Sequence, residues 1–434
     1  VEVRVGQGLT ITANGPLVVN GTAAQPVLIH GLTTSNYWNS ITFGIGVSCD
    51  FNYCNISEAT NAIYDNYGGT ANNYFFNCNF RNCVGNAIYG YFSMAYSYYQ
   101  NTPTNYIGNC TFSNCQGNAI SAQFNLRGNP NVPVMYVTNC IFSNITNTCF
   151  NGPNATWGVL VDLHITSCQF LSSSNGIVGS PLGAAQITAC IFKNITGVAV
   201  WGDVGNSGKS SVANCMFASC AKAFSSTMGF DSTVENNIFY LCDTSVMRDG
   251  TSSSQNTSSD VSYNCFWNNG ANFAGYPVMM GMAVYQNANG TSCDIANNIF
   301  QNPLFMDTNT FFLASNSPCI DAGDPAPIYR DSATTNSLGS ITNDIGIYGG
   351  PTPYTPNQSQ TVISTLTLSP VRYFGVVINP PTNGTYRVQY IPSLDGGTWY
   401  SLQDIVLTNN SPYTFIDYDS PINSIRFYRA VKLP

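Results

Sequence analysis

From Cys49 onward the chain returns ten times to one short alternation of small, variable, aromatic and polar positions. It reads CDFNYC (Cys49–Cys54), CNFRNC (Cys78–Cys83), CTFSNC (Cys110–Cys115), then CIFSNI, CQFLSS and CIFKNI from Cys140, Cys168 and Cys190. CMFASC (Cys215–Cys220), NIFYLC (Asn237–Cys242), CFWNNG from Cys265 and NIFQNP from Asn298 complete the series. Successive starts lie 22 to 33 residues apart. Three residues before the phrase stand Phe75, Ile107, Val137, Ile165, Ile187, Val212, Val234 and Ile295, and an Asn usually sits immediately before it. A second apolar segment follows several phrases, as in NAIYD (Asn61–Asp65), NAIYG (Asn86–Gly90), NAISA (Asn118–Ala122) and NGIVG (Asn175–Gly179). Nothing has helical period. Each unit therefore predicts three short strands separated by Asn- and Gly-rich bends, and a fixed repeat of this length predicts a coil of stacked rungs.

Such a rung cannot bury its inner face alone, and stacking at the roughly 4.8 Å strand spacing places like residues on like. The third phrase position is expected to form an internal Phe stack, with Trp267 in one rung, and the bend Asn an amide ladder. These phrases resemble the right-handed parallel β-helix proteins of pectate-lyase-like shape, a resemblance covering Val1 to Gly350. Val1–Gly31 looks like the opening rungs of secreted bacterial members. SPCIDAGDP (Ser317–Pro325) with NDIGIYGG (Asn343–Gly350) looks like their closing segment.

Prolines 351, 353 and 356 break the pattern, and residues 351–360 read as a linker. Beyond it the phrase and the cysteines are gone. Longer alternating segments such as YRVQYIP and SIRFYRAVKL predict a small antiparallel β-sandwich over residues 361–434. The expected fold is thus all-β, a parallel β-helix followed by that sandwich.

Composition narrows the function. Charged residues are 8% of 434 and the net charge is -8, which excludes the basic face that nucleic acid requires. No apolar run suffices for a transmembrane helix. Low charge, 25 Phe and 26 Tyr, and a start at Val1 that a cleaved secretory precursor would explain together suggest a secreted or cell-surface protein. The sixteen Cys fall mostly into columns. Buried thiol filler is the favoured reading of those columns, ahead of a disulfide ladder or a metal site, since Asn and Ile occupy the same positions without a partner.

Between Cys49 and Phe300 stand eleven acids and six bases, with no two acids at one repeat position in neighbouring rungs. That argues against the converging carboxylates of a polysaccharide-cleaving member. Asp162 and His164, two apart on a strand, share a face and form the best catalytic-looking pair. His164 also belongs to a column running Tyr74, Tyr106, Tyr136, His164, Gln186. If outward, this aromatic ladder could stack sugar rings or face a partner, or its rings could simply stack on each other across rungs. The position after the phrase start becomes apolar along the chain as Ile141, Gln169, Ile191, Met216, Ile238, Phe266 and Ile299. An outward apolar stripe would be covered by the second domain or a neighbouring subunit. Asp321, Asp324 and Asp344 could bind Ca²⁺, the one cofactor considered, or cap turns through backbone N–H groups.

The reading that follows is a non-catalytic extracellular structural or adhesive rod, self-assembling into a surface layer or filament, with self-association or cell-surface glycan as partner. The alternative is a polysaccharide lyase or glycoside hydrolase of the same fold, or a glycan-binding module.

Overall fold

The computed structural model describes the chain except residues 34–35, 45, 66–71, 95–103, 126–133, 155–161, 181–183, 203–209, 227–231, 249–260, 333–335, 355–373, 379–382, 392–397, 408–412, 418–426 and 434. It falls into two units, Val1–Gln360 and Thr361–Pro434. The first is a parallel β-helix. Strands fall in turn into three sheets: sheet A of 11 strands (Glu2–Val5 to Cys265–Trp267), sheet B of 11 (Thr10–Ala13 to Ala271–Ala274) and sheet C of 10 (Leu17–Asn20 to Val261–Ser262). Every pairing within these sheets joins a strand to its counterpart one rung away, in parallel.

Phe80, Phe112, Phe142, Phe170, Phe192, Phe217, Phe239 and Phe266 form one internal stack, with centroid separations of 4.7 to 5.0 Å and all eight rings buried. The bends explain the asparagines. Residues between sheets C and A take left-handed backbone at Asn77, Asn109, Asn139, Asn214 and Asn236, and those between A and B at Asn82, Asn114, Asn144 and Asn194. Asn tolerates that conformation better than other side-chain-bearing residues. Amides also stack between rungs, as in Asn109 Nδ2 to Asn77 Oδ1 at 3.3 Å and Asn144 Nδ2 to Asn114 Oδ1 at 3.2 Å.

Register corrects the sequence alignment at two places. Cys49–Asn52 is a strand of sheet C, where Phe51 pairs with Phe75, so the phrase of that rung begins instead at Cys54, with Asn55 beside Asn79. In the ninth rung the phrase begins at Asn264. Phe239 pairs with Phe266 and Tyr240 with Trp267. A slip of one residue exchanges the faces of a strand. Phe266 thus belongs to the core stack and Cys265 to the outward stripe, while Trp267 is surface-facing rather than a stack member.

All sixteen cysteines are buried and free. Those of the phrase column do more than fill space. Cys110, Cys140, Cys168, Cys190 and Cys215 each direct Sγ at a backbone oxygen of sheet C in the preceding rung (Phe75, Ile107, Val137, Ile165 and Ile187), at 3.4 to 3.6 Å. Asn237, Asn264 and Asn298 continue the column with Nδ2 on Val212, Val234 and Val261 oxygens at 2.8 to 2.9 Å. The column is a donor position that satisfies a buried carbonyl in rung after rung.

The second unit has an antiparallel three-stranded sheet (Gly384–Ile391 between Tyr400–Leu407 and Phe427–Lys432) and an antiparallel pair (Phe374–Ile378 with Tyr413–Asp417). Tyr386, Val388, Ile405, Leu407 and Phe415 form its own small core.

Candidate functional site

Strand alternation gives sheet C an outer face of ordered columns. In Asp162–Thr166 the pattern is half-buried, buried, half-buried, buried, half-buried, so Leu163 and Ile165 point inward while Asp162, His164 and Thr166 point out. The register places Asp50, Tyr74, Tyr106, Tyr136, His164 and Gln186 in one outward column. The rings stack face to face: Tyr74 on Tyr106 at 5.6 Å, Tyr106 on Tyr136 at 4.9 Å, and Tyr136 on His164 at 4.8 Å, with interplanar angles of 8°, 12° and 17°. Each inner ring therefore covers its neighbours' faces, and the ladder presents edges and hydroxyls outward. Sugar stacking on those faces is excluded within the column. Burial, followed by the adjoining Tyr136 and Tyr74 hydroxyls, raises the Tyr106 pKa, so this phenol stays protonated and able to donate.

The next outward column runs Phe76, Gly108, Thr138, Thr166 and Thr188, with the Thr166 and Thr188 hydroxyls 3.2 Å apart. Glycine at 108 makes room for Phe76, whose ring would lie 2.6 Å from a Cβ there. On the other flank, Asp162 Oδ1 lies 3.0 Å from His164 Nε2, both side chains partly exposed. Among the described residues of this face, this pair is where a base with an orienting carboxylate is assembled. The described strands of sheet C contain Asp50, Asp162 and Glu235 but no Lys or Arg. The face is thus neutral to acidic.

The other sequence-predicted sites resolve differently. Ile191, Met216, Ile238 and Ile299 do form an outward stripe with Cys265, but its cover is the chain's own segment. Phe311, Leu313, Cys319, Ala322, Ile345, Ile347, Tyr348 and Tyr354 close over it as a second buried cluster. Neither the C-terminal domain nor a second subunit is needed there. The cover is fastened to the bend asparagines. Asn214 Nδ2 donates to Asn343 Oδ1, Asp344 O and Gly346 O at 2.9 to 3.0 Å, and Asn236 Oδ1 accepts from Asp324 N at 2.7 Å. Tyr354, inside the expected linker, is buried and its hydroxyl accepts from Gln169 Nε2 at the last covered rung, so this residue of the linker packs on the rod. Ile141, one rung further, stays half-buried beyond the cover.

Asp321, Asp324 and Asp344 serve this closing segment. Asp344 accepts from the Asp321 and Leu338 amides at 2.9 and 2.8 Å, Asp321 from Ser340 N and Oγ, and Asp324 from Ala326 N. The three carboxylates are engaged as turn caps. No group of three or more His, Cys, Asp or Glu able to hold a metal occurs among the described residues. Asp203, Asp231, Asp249 and Asp260 lie outside the described residues, as does much of the Tyr-rich insertion after Met94.

No family model and no curated protein matches this sequence. Among solved structures, a mannuronic-acid-specific polysaccharide lyase of family 6 from the human gut microbiota aligns at 10% identity and a TM-score of 0.30, over 65% of this chain and 83% of that one. The family 6 alginate lyase AlyGC aligns at 11% identity and a TM-score of 0.26, over 77% of this chain, which spans 57% of the lyase's length. The fold assignment rests on the strand pairing described above. No helix among the described residues is long and apolar enough to cross a membrane.

Proposed function

We propose that the chain is an extracellular polysaccharide-binding β-helix, with an extended neutral glycan lying along the outer face of sheet C. The observation that carries this reading is the in-register array on that face. Tyr74, Tyr106, Tyr136 and His164 run beside Thr138, Thr166 and Thr188, repeating hydrogen-bonding groups once per rung of about 4.8 Å. A linear array of identical spacing suits a polymer rather than a compact small molecule. The absence of Lys and Arg from the described strands of this face favours an uncharged chain over a polyuronate. The apolar stripe, one of the features behind the filament reading, is covered by the closing segment.

Tyr136→Ala and His164→Ala in the full chain should each weaken retention on neutral polysaccharide gels by about tenfold, the loss of one or two hydrogen bonds to an ordered donor. Unchanged retention by both variants, with native circular dichroism, would refute the assignment. A catalytic reading is supported by one specific observation, the 3.0 Å Asp162–His164 contact. In that case His164 acts as a base held in orientation by Asp162. Release of new reducing ends or of unsaturated products, lost in Asp162→Asn, is the assay that separates an enzyme from a binder.

A further inference from the structure

The geometry points to a second ligand site, for a carboxylate-bearing glycan, on the outer face of the three-stranded sheet in the C-terminal domain. Charge is distributed unevenly along this chain. Residues 361–434 hold five Lys and Arg against four acids, whereas residues 1–360 hold eight against seventeen. Two of the five cations, Arg387 and Arg429, stand on the same sheet face, and their situations differ. Arg387 is neutralised bidentately by Asp404, Nε to Oδ1 and Nη2 to Oδ2, both 2.7 Å. Arg429 has no ion pair among the described residues.

Three strands hold Arg429 in place nonetheless. Its Nε donates to Gln389 Oε1 at 2.9 Å, and Gln389 in turn donates Nε2 to Ser401 Oγ at 3.2 Å. Its guanidinium carbon lies 4.2 Å from the Trp399 ring centroid. The stack fixes the plane and the single Nε bond fixes the rotation, which leaves the terminal nitrogens as an oriented fork. A planar fork with no acid partner among the described residues matches a carboxylate in two parallel hydrogen bonds. The surrounding surface is an open sheet face, on which Arg429 and its partners Gln389 and Ser401 sit at the surface. A flat site with one oriented cation held over a single Trp ring suits one sugar acid of an extended polymer. It is separate from sheet C, whose face carries acids and no Lys or Arg in its described strands.

Polygalacturonate serves as the probe, with a neutral glucan for comparison, and the full chain is measured by affinity electrophoresis and calorimetry at low and high salt. Arg429→Gln should weaken polygalacturonate binding by about tenfold or more, and Arg429→Lys should recover only part of it because the fork is lost. Arg387→Gln should leave it within about twofold, since that cation is already neutralised. Tyr136→Ala should affect the neutral glucan alone, so failure at sheet C and failure at Arg429 are read separately. Equal losses for Arg387→Gln and Arg429→Gln would show general charge attraction and overturn the proposal. So would full binding by both Arg429 variants, or no binding of polygalacturonate by the wild-type chain.

Discussion

Replacing Asn264 with alanine empties one position of the donor column and leaves identifiable groups without partners. Asn264 is fully buried. Its Nδ2 donates to Val234 O at 2.8 Å, Ser262 O at 2.9 Å and Asn298 Oδ1 at 3.1 Å, and its Oδ1 accepts from Asn237 N at 2.9 Å and Asn237 Nδ2 at 3.0 Å. Alanine leaves the buried Asn237 amide without that acceptor, at about 1–3 kcal/mol, and removes two carbonyl bonds worth about 1 kcal/mol each. The expected loss is about 3–5 kcal/mol. Cysteine is the informative comparison, because the thiols of earlier rungs perform the same two tasks less strongly. Cys168 Sγ reaches Val137 O at 3.4 Å and accepts from Cys140 N at 3.4 Å. Burial pushes the Cys168 thiol well above its usual range, so it remains a protonated donor. Asn264→Cys should therefore cost about 1–2 kcal/mol, roughly half the alanine value or less. Solenoids need not unfold in one step, so the assay is hydrogen exchange by mass spectrometry over the rungs from Thr233 to Ile299, supported by urea midpoints. If Asn264→Cys is as destabilised as Asn264→Ala, or if alanine costs less than about 1 kcal/mol, the column is packing and the donor argument is wrong.

Two further outcomes follow from the same structure. Phe142 is fully buried between Phe112 and Phe170 at 4.9 and 4.8 Å. Phe142→Ala should cost about 3–5 kcal/mol, seen as lost exchange protection concentrated in the adjoining rungs; a uniform loss along the whole rod would contradict nearest-neighbour stacking. Burial raises the Asp344 carboxyl from 3.8 to about 7, and burial raises Asp331 beside it too. A raised acid favours the protonated folded state, so its contribution is fully present below about pH 4 and is lost as pH rises through about 7. At about 1.4 kcal/mol per unit the ceiling is about 4 kcal/mol. Exchange protection of residues 321–350 should be greater at pH 5 than at pH 8, with the difference reduced in Asp344→Asn; the opposite slope would show that the two amide bonds to Asp344 outweigh its desolvation.

The repeating phrase made most of the rod legible. A Phe two places after Cys, with Asn one place before it, encodes an inward ring and a left-handed bend, both local properties that survive translation into structure. Misreadings arose where local identity and register diverge. CDFNYC has the phrase but sits in sheet C, and CFWNNG begins one residue late because Asn264, not Cys265, occupies the donor position. The Cys-to-Asn exchange along that column was itself the available signal, since both residue types can donate to a carbonyl.

The Tyr–His column was readable as a column because equal spacing from the phrase fixes which residues share a face. That its rings cover one another depended on centroid distances near 5 Å, which only stacked rungs supply. Likewise, the apolar stripe could be identified from Ile191, Met216 and Ile238, but not what covers it. Phe311 to Tyr354 lies far along the chain, and its docking depends on Asn214 and Asn236 being presented together at the bends. The sequence by itself determined the rung and its inner and outer faces. Tertiary structure decided the register at the irregular rungs, the self-covering of the stripe, the caps formed by Asp321, Asp324 and Asp344, and the assembly of Arg429 with Trp399. The division has a physical reason: alternation and bend preferences act between near neighbours, whereas covering and convergence join residues whose separation along the chain carries no information about their distance in space.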